Sequence, residues 1–227
     1  MRANALQAYG YAVTPSDELT CPVLGVALPA AAVTCAHIMP RKLRDHWAKL
    51  GIAADDPRNV MFMFKCIEDA FDDYLLSFFR TGSVNEHGAE LFRVFVWDPT
   101  LLDQPVTVNV RNRTEKRSLP HVAFPENVHG ITFRVLHERA PLALAGPSGL
   151  SPFRRALALQ ASFAQAQARF NRWPEAPPDL LSLNEPVSPD LSPEKEERVC
   201  EWRRAADAFA VAMEDCADGG HRADDPA

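Results

Sequence analysis

The sequence has little cysteine, and its cysteines are not arranged as a site. There are five, an odd number, and they are scattered without any Cys-x-x-Cys pair. This pattern excludes a disulfide framework and a zinc finger, so buried free thiols are the default interpretation. The five positions are Cys21, Cys35, Cys66, Cys200 and Cys216.

Long apolar runs are also absent. No stretch approaches the roughly 20 apolar residues that a helix needs to cross a bilayer. Residues 1–16 lack the apolar block and the small-residue cleavage site of a signal peptide. We therefore expect a soluble, intracellular protein with no membrane partner.

An excess of basic residues is missing as well. The formal net charge is -6, which argues against a protein that coats nucleic acid non-specifically, because such binding depends on Lys and Arg neutralising phosphates. Two local basic clusters remain, within residues 41–65 and 111–117. Each is consistent with a solvated charged face, and each would also suit a phosphodiester bound beside an acidic metal site.

The N-terminal part of the chain alternates between turn signals and apolar segments. The turn residues of CPVLG, followed by the β-prone AAVTCAHI, predict a hairpin whose second strand lies near residues 33–38. Pro40 and Gly51 are typical of the start and the end of a helix. A second, short helix is expected over residues 64–73, and its inward face would consist of Ile67, Ala70 and Phe71.

Four further segments, YLLSFF, ELFRVFVW, PVTVNV and GITFRVL, are typical of strands and predict an antiparallel sheet. Ser151 and Pro152 then favour the start of a helix. That helix has an apolar stripe with alternating steps of three and four residues. The stripe consists of Ala156, Leu159, Phe163, Ala166, Phe170 and Trp173.

The last part of the chain is rich in proline and then helical again. Six prolines between 174 and 193 predict an extended linker, and residues 194–217 carry a second apolar stripe. The tail 218–227 is expected to be disordered. The two stripes favour packing on the parent domain or on each other, with a homodimer through the C-terminal helices as the alternative.

These patterns predict an α+β protein with a β-hairpin and helix, then a small antiparallel sheet and C-terminal helices. The expected organisation is an α+β domain over 1–140, a helix packing on it over 141–173, the linker 174–193, the C-terminal helix 194–217 and the tail 218–227.

The residues best suited to catalysis or metal binding lie on the short helix and on the strand before it. Glu68 and Asp72 are four residues apart, so both project from one helix face, and His37 lies in the β-prone segment. A solvated helix face and a core histidine remain the alternatives. Asn59, at the start of the apolar run VMFMF, is also consistent with a simple cap.

In order and spacing, CPVLG, AHIMP, RNVMFMF and EDAFD followed by YLLSF resemble HNH endonuclease domains. The resemblance covers about residues 19–80. It implies a β-hairpin and a helix that clasp one divalent metal ion and hydrolyse DNA. It implies that His37 is the general base that activates a water molecule. It also implies that Asn59 tethers the loop through backbone hydrogen bonds and so keeps the histidine correctly oriented.

The resemblance also has departures, which concern the metal. The family usually has a metal-binding histidine on the helix where this chain has Glu68, and Ala36 replaces a further ligand. Glu68 and Asp72 would then bind Mg²⁺ or Mn²⁺, because carboxylate oxygens favour hard ions. Arg58 and Arg41 would contact the substrate phosphates. A degenerate HNH fold that binds nucleic acid or protein without catalysis is the alternative.

Overall fold

Two separate two-stranded ladders precede a three-stranded sheet in the chain. The computed structural model describes residues 2–11, 18–39, 56–108, 126–183 and Arg204. The strands are β1 (Glu18–Cys21), β2 (Val26–Pro29), β3 (Val33–His37), β4 (Val60–Phe64), β5 (Leu76–Val84), β6 (Glu90–Val96) and β7 (Leu142–Ala143). The helices are α1 (Arg2–Ala8), α2 (Lys65–Asp72), α3 (Glu126–His129), α4 (Phe133–Glu138), α5 (Arg154–Phe170) and α6 (Pro178–Leu183).

The hairpin predicted between CPVLG and residues 33–38 is wrong in its second strand. β1 pairs instead with β2, with Cys21 opposite Val26. The turn between them is short because Gly25 has a φ of 72°, which glycine adopts without a steric penalty. The chain therefore returns at once, and β3 is left to pair with β4.

β4 and α2 form the buried centre of the first part of the chain. All five residues of β4 are buried. α2 follows directly and agrees with the helix predicted over residues 64–73. Ile67, Ala70 and Phe71 are buried as predicted. The default interpretation of the thiols holds for Cys21 and Cys66, which are buried.

The predicted antiparallel sheet is present, with strand order β5-β6-β7. Two of the four segments that were expected to be strands do not form strands in the described residues. Residues 105–108 contribute a single bridge, from Pro105 to Thr132, and lie otherwise in turns and bends. The segment GITFRVL contains the start of α4 rather than a strand.

α4 forms because a side-chain cap outweighs the β-propensity of its sequence. The Thr132 hydroxyl accepts a hydrogen bond from the Val135 amide, as in an N-cap. Phe133 and Leu136 are then buried on one face, and Arg134 lies 3.7 Å from Glu138 one turn later. Helical spacing, not alternation, therefore buries the apolar residues of this segment.

α5 attaches the C-terminal part of the chain to the first part. It begins at Arg154, later than Ser151 and Pro152 predict, and its N-cap Phe153 makes no side-chain capping bond. The buried Gln160 amide donates to the carbonyl oxygens of Phe71 and Leu76, at 3.0 Å each. α5 is thereby bonded to the end of α2 and to the start of β5.

The stretch that was predicted to be an extended linker contains a short helix. This helix is α6, and Leu180 is buried in it. Other predictions lie outside the described residues. They concern the helix expected after Pro40, residues 184–193, the tail, the C-terminal helix except for Arg204, and the surface of the predicted homodimer. None of the described helices is both long and apolar enough to cross a bilayer.

His137 couples the fold to pH. Its Nδ1 accepts a hydrogen bond of 3.0 Å from the Val96 amide, and its ring packs against Phe95. Burial lowers the pKa of His137 below its ordinary value. Because the folded state favours the neutral ring, its contribution to stability is complete above the unfolded pKa, about 6.5. It is lost as the pH falls through the lower folded pKa.

We expect His137→Gln to reduce the fall in the free energy of unfolding between pH 7.5 and pH 5.5. The glutamine amide oxygen can replace Nδ1 as acceptor but does not titrate. Urea unfolding at the two pH values measures the difference. His129→Gln is the control, because His129 is exposed. An unchanged pH dependence in His137→Gln would contradict the prediction.

Candidate functional site

The end of β3 is held in place by Asn59. His37 is the last residue of β3 and lies opposite Val60 in the ladder. The Ile38 amide donates to the main-chain carbonyl of Asn59 at 2.9 Å, and the Met39 amide donates to its side-chain Oδ1 at 3.2 Å. Asn59 is completely buried. One residue therefore fixes the backbone on the C-terminal side of His37 through two hydrogen bonds.

A tyrosine that sequence reasoning missed supports the partner strand. The Tyr9 hydroxyl donates to the Val60 carbonyl at 2.8 Å, and its ring meets the edge of Phe62 at a centroid distance of 5.6 Å. Burial is the main cause that raises the pKa of Tyr9, so the phenol stays protonated as a donor. No local pattern points to this contact, because Tyr9 and Val60 are far apart in the sequence.

α2 packs against β3, the strand that ends at His37. Cys35 and His37 are two residues apart on that strand, so their side chains leave the same face. Burial raises the pKa of the half-buried Cys35 thiol to about 11, and the charge of Glu68 is among the causes that raise it. Glu68 therefore interacts electrostatically with Cys35 on β3.

Lys65 was not among the predicted site residues, yet it binds the acidic face of α2. Its Nζ lies 2.8 Å from Oε2 of Glu68 and 2.7 Å from Oδ1 of Asp69. The Asp69 side chain is only 4% exposed, compared with 15% for Glu68. Burial alone would lower the pKa of Lys65, but the hydrogen bonds to Asp69 and Glu68 outweigh it and raise the pKa. The ammonium therefore remains charged at neutral pH.

Asp72 lies at the end of α2, one turn beyond Glu68, and is exposed. Among the described residues, no group of three or more His, Cys, Asp or Glu side chains is placed to hold a metal ion. Two carboxylates suit a hard cation that keeps most of its water, as Mg²⁺ commonly does. Glu68 and Asp72 supply two carboxylates of the ligand type that Mg²⁺ and Mn²⁺ prefer.

Arg58, predicted to bind phosphate, lies beside Asn59 and is already oriented. Its Nε and Nη2 donate to the two oxygens of Asp56 at 3.1 and 2.9 Å, and its guanidinium lies 4.1 Å from the centre of the Phe153 ring. The side chain is still 47% exposed. Arg41, the other predicted phosphate ligand, lies outside the described residues.

Part of the chain matches a known protein family. Residues 21–78, about a quarter of the chain, match the family model of the HNH endonuclease. The matched range contains His37, Asn59, Glu68 and Asp72. No curated protein and no solved structure matches the chain. The resemblance seen in the sequence is therefore confirmed for this segment.

Proposed function

Because residues 21–78 are of the HNH endonuclease type, we propose that they form the catalytic part of a metal-dependent endonuclease that hydrolyses phosphodiester bonds in DNA. The observation that carries the proposal is the pair of hydrogen bonds from Ile38 and Met39 to Asn59. A general base must be held within reach of the water that it activates. Asn59 supplies this restraint directly after His37.

His37 would take a proton from a water molecule. The resulting hydroxide attacks phosphorus, the bond from phosphorus to the 3′ oxygen breaks, and that oxygen takes a proton from solvent water as it leaves. A neutral imidazole can accept this proton, which is the usual role of histidine in general base catalysis. The products carry a 5′ phosphate and a 3′ hydroxyl.

Glu68, in the first turn of α2, and the exposed Asp72, at its end, would hold Mg²⁺ or Mn²⁺. A bound divalent ion neutralises charge on the phosphate and on the departing oxygen. Arg58 would contact a neighbouring phosphate with its exposed guanidinium edge, since Asp56 and Phe153 fix its orientation.

The proposal predicts that Glu68→Gln lowers metal-dependent nicking of supercoiled plasmid by at least about tenfold. The amide keeps the size of the side chain but loses the negative charge that binds the cation. Initial nicking rates across an Mn²⁺ titration, with a chelator as blank, measure the effect. Glu138→Gln is the matched control, because Glu138 is exposed on α4. Equal rates for the wild type and Glu68→Gln would count against this metal site.

One observation favours a second function, that of a degenerate HNH fold that binds nucleic acid or protein without cleaving it. The Glu68 carboxylate is already paired with Lys65, and Ala36 precedes His37 where the family has a further ligand. This alternative predicts DNA binding in fluorescence anisotropy, weakened by salt, with no nicking in Mg²⁺ or Mn²⁺.

A further inference from the structure

We propose that the DNA-binding surface extends beyond the HNH-type segment onto α5, where Arg154 and Arg155 bind phosphates next to the one that Arg58 contacts. Both residues lie outside the matched range 21–78. DNA as the ligand rests on the proposed function, whereas the surface itself is tested by binding and not by cleavage.

Contacts between Arg58 and Phe153 bring the HNH-type segment and α5 together. The Phe153 amide donates to the Arg58 carbonyl oxygen at 2.9 Å, and the Arg58 guanidinium lies 4.1 Å from the centre of the Phe153 ring. Arg154 and Arg155 follow Phe153 directly as the first two residues of α5, and both are exposed. The three arginines therefore lie in one region of the surface.

This region is positively charged, although the chain as a whole has a formal net charge of -6. Nε of Arg154 lies 2.8 Å from one carboxylate oxygen of Glu90, and Nε of Arg80 binds the other oxygen of the same carboxylate. Arg155 forms no ion pair with any residue that the structure describes. Among the described residues, a single carboxylate is therefore grouped with the guanidinium groups of Arg80, Arg154 and Arg155.

The stability of α5 does not explain why Arg155 lies where it does. The first turn of a helix carries a partial positive charge, which favours acidic residues and disfavours arginine. The first turn of α5 contains no acidic residue. The ion pair with Glu90 offsets the unfavourable placement of Arg154. A DNA phosphate would offset it for Arg155, since guanidinium groups bind phosphate oxygens well.

The test is the dissociation constant of a fluorescently labelled DNA duplex, measured by fluorescence anisotropy with a chelator present and between about 50 and 200 mM salt. Arg155→Gln removes one charge from an exposed position. We expect it to weaken binding by about fivefold, the upper end of what an exposed ion pair contributes. The slope of log K against log salt should fall by about 0.9, the value for one phosphate contact. The double variant Arg154→Gln/Arg155→Gln should lose about twice as much slope.

Two variants control for charge and for folding. Arg169→Gln is the matched control, because Arg169 is 62% exposed and lies near the other end of the same helix. It should leave the dissociation constant within about twofold and the salt slope unchanged. Arg155→Lys keeps the charge and should retain the wild-type slope, which a merely structural role of the arginine would not predict. Circular dichroism checks that each variant is folded.

The outcomes separate this surface from the proposed function. A smaller salt slope in Arg155→Gln, with the slope retained in Arg155→Lys, supports it even where no variant nicks DNA. Unchanged binding in both Arg155→Gln and the double variant overturns it, even where the wild type is a metal-dependent nuclease. An equal loss in Arg169→Gln overturns it too, because the effect would then belong to the overall charge of the chain. The absence of DNA binding by the wild type overturns it as well.

Discussion

Substitution of His37 by alanine is expected to lower the nicking rate by about 10²- to 10⁴-fold, the usual contribution of a positioned general base. The loss should be this large because Asn59 holds the backbone after His37 through two hydrogen bonds, so no other base can take its position without rebuilding the end of β3. The measurement is the initial conversion of supercoiled to nicked plasmid at saturating Mn²⁺.

The pH profile gives a second, independent test of His37. A base must be neutral to accept a proton, so the wild-type rate should rise with pH and then level off. The residual rate of His37→Ala should lack this step. His129→Ala serves as the control, because His129 is exposed at the end of α3. Nicking that survives unchanged in His37→Ala would rule out the assigned role.

Local periodicity was sufficient to predict α2. Ile67, Ala70 and Phe71 lie at helical spacing, and all three are buried in the structure. The strands β5 and β6 were predictable for a similar reason, since apolar and β-prone residues fill them and turn signals lie between them. In these elements the local propensity and the burial of side chains favour the same conformation.

The pairing of β3 and the helical conformation of α4 could not be predicted from local sequence. β3 is visibly β-prone, but its partner β4 follows only after 22 intervening residues, from Ile38 to Asn59, and no local signal specifies such a partner. In α4 the β-branched Val135 favours a strand, whereas the Thr132 cap and the burial of Leu136 favour a helix. Tertiary packing decides between them.

The candidate site, too, could be predicted from the sequence only in part. The family resemblance relates Asn59 to His37, and in the structure Asn59 accepts hydrogen bonds from Ile38 and Met39, the two residues after His37. The ion pairs of Lys65 were missed, although their spacing to Glu68 and Asp69 is visible in the sequence. The catalytic and metal-binding roles remain predictions, because they depend on reaction partners rather than on packing.

The apolar stripe of α5 contains two phenylalanines that the spacing of the sequence does not distinguish. In the structure they differ in burial. Phe163 is 3% exposed, and its ring meets the edge of Tyr74 at a centroid distance of 5.8 Å. Phe170, at the end of the helix, is 50% exposed. Tyr74 lies in the turn after α2, with a φ of 57°. Phe163 therefore connects α5 to the segment that carries Glu68.

We expect Phe163→Ala to lower the free energy of unfolding by about 3–5 kcal/mol, through lost burial and the cavity that remains. Phe170→Ala, the same change on the same helix, should cost less than about 1 kcal/mol. Urea unfolding followed by tryptophan fluorescence and by circular dichroism measures both. A single transition that shifts for Phe163→Ala would show that α5 folds as one unit with the HNH-type segment. Equal effects of the two substitutions would contradict this, since they would mean that the contact with Tyr74 contributes nothing.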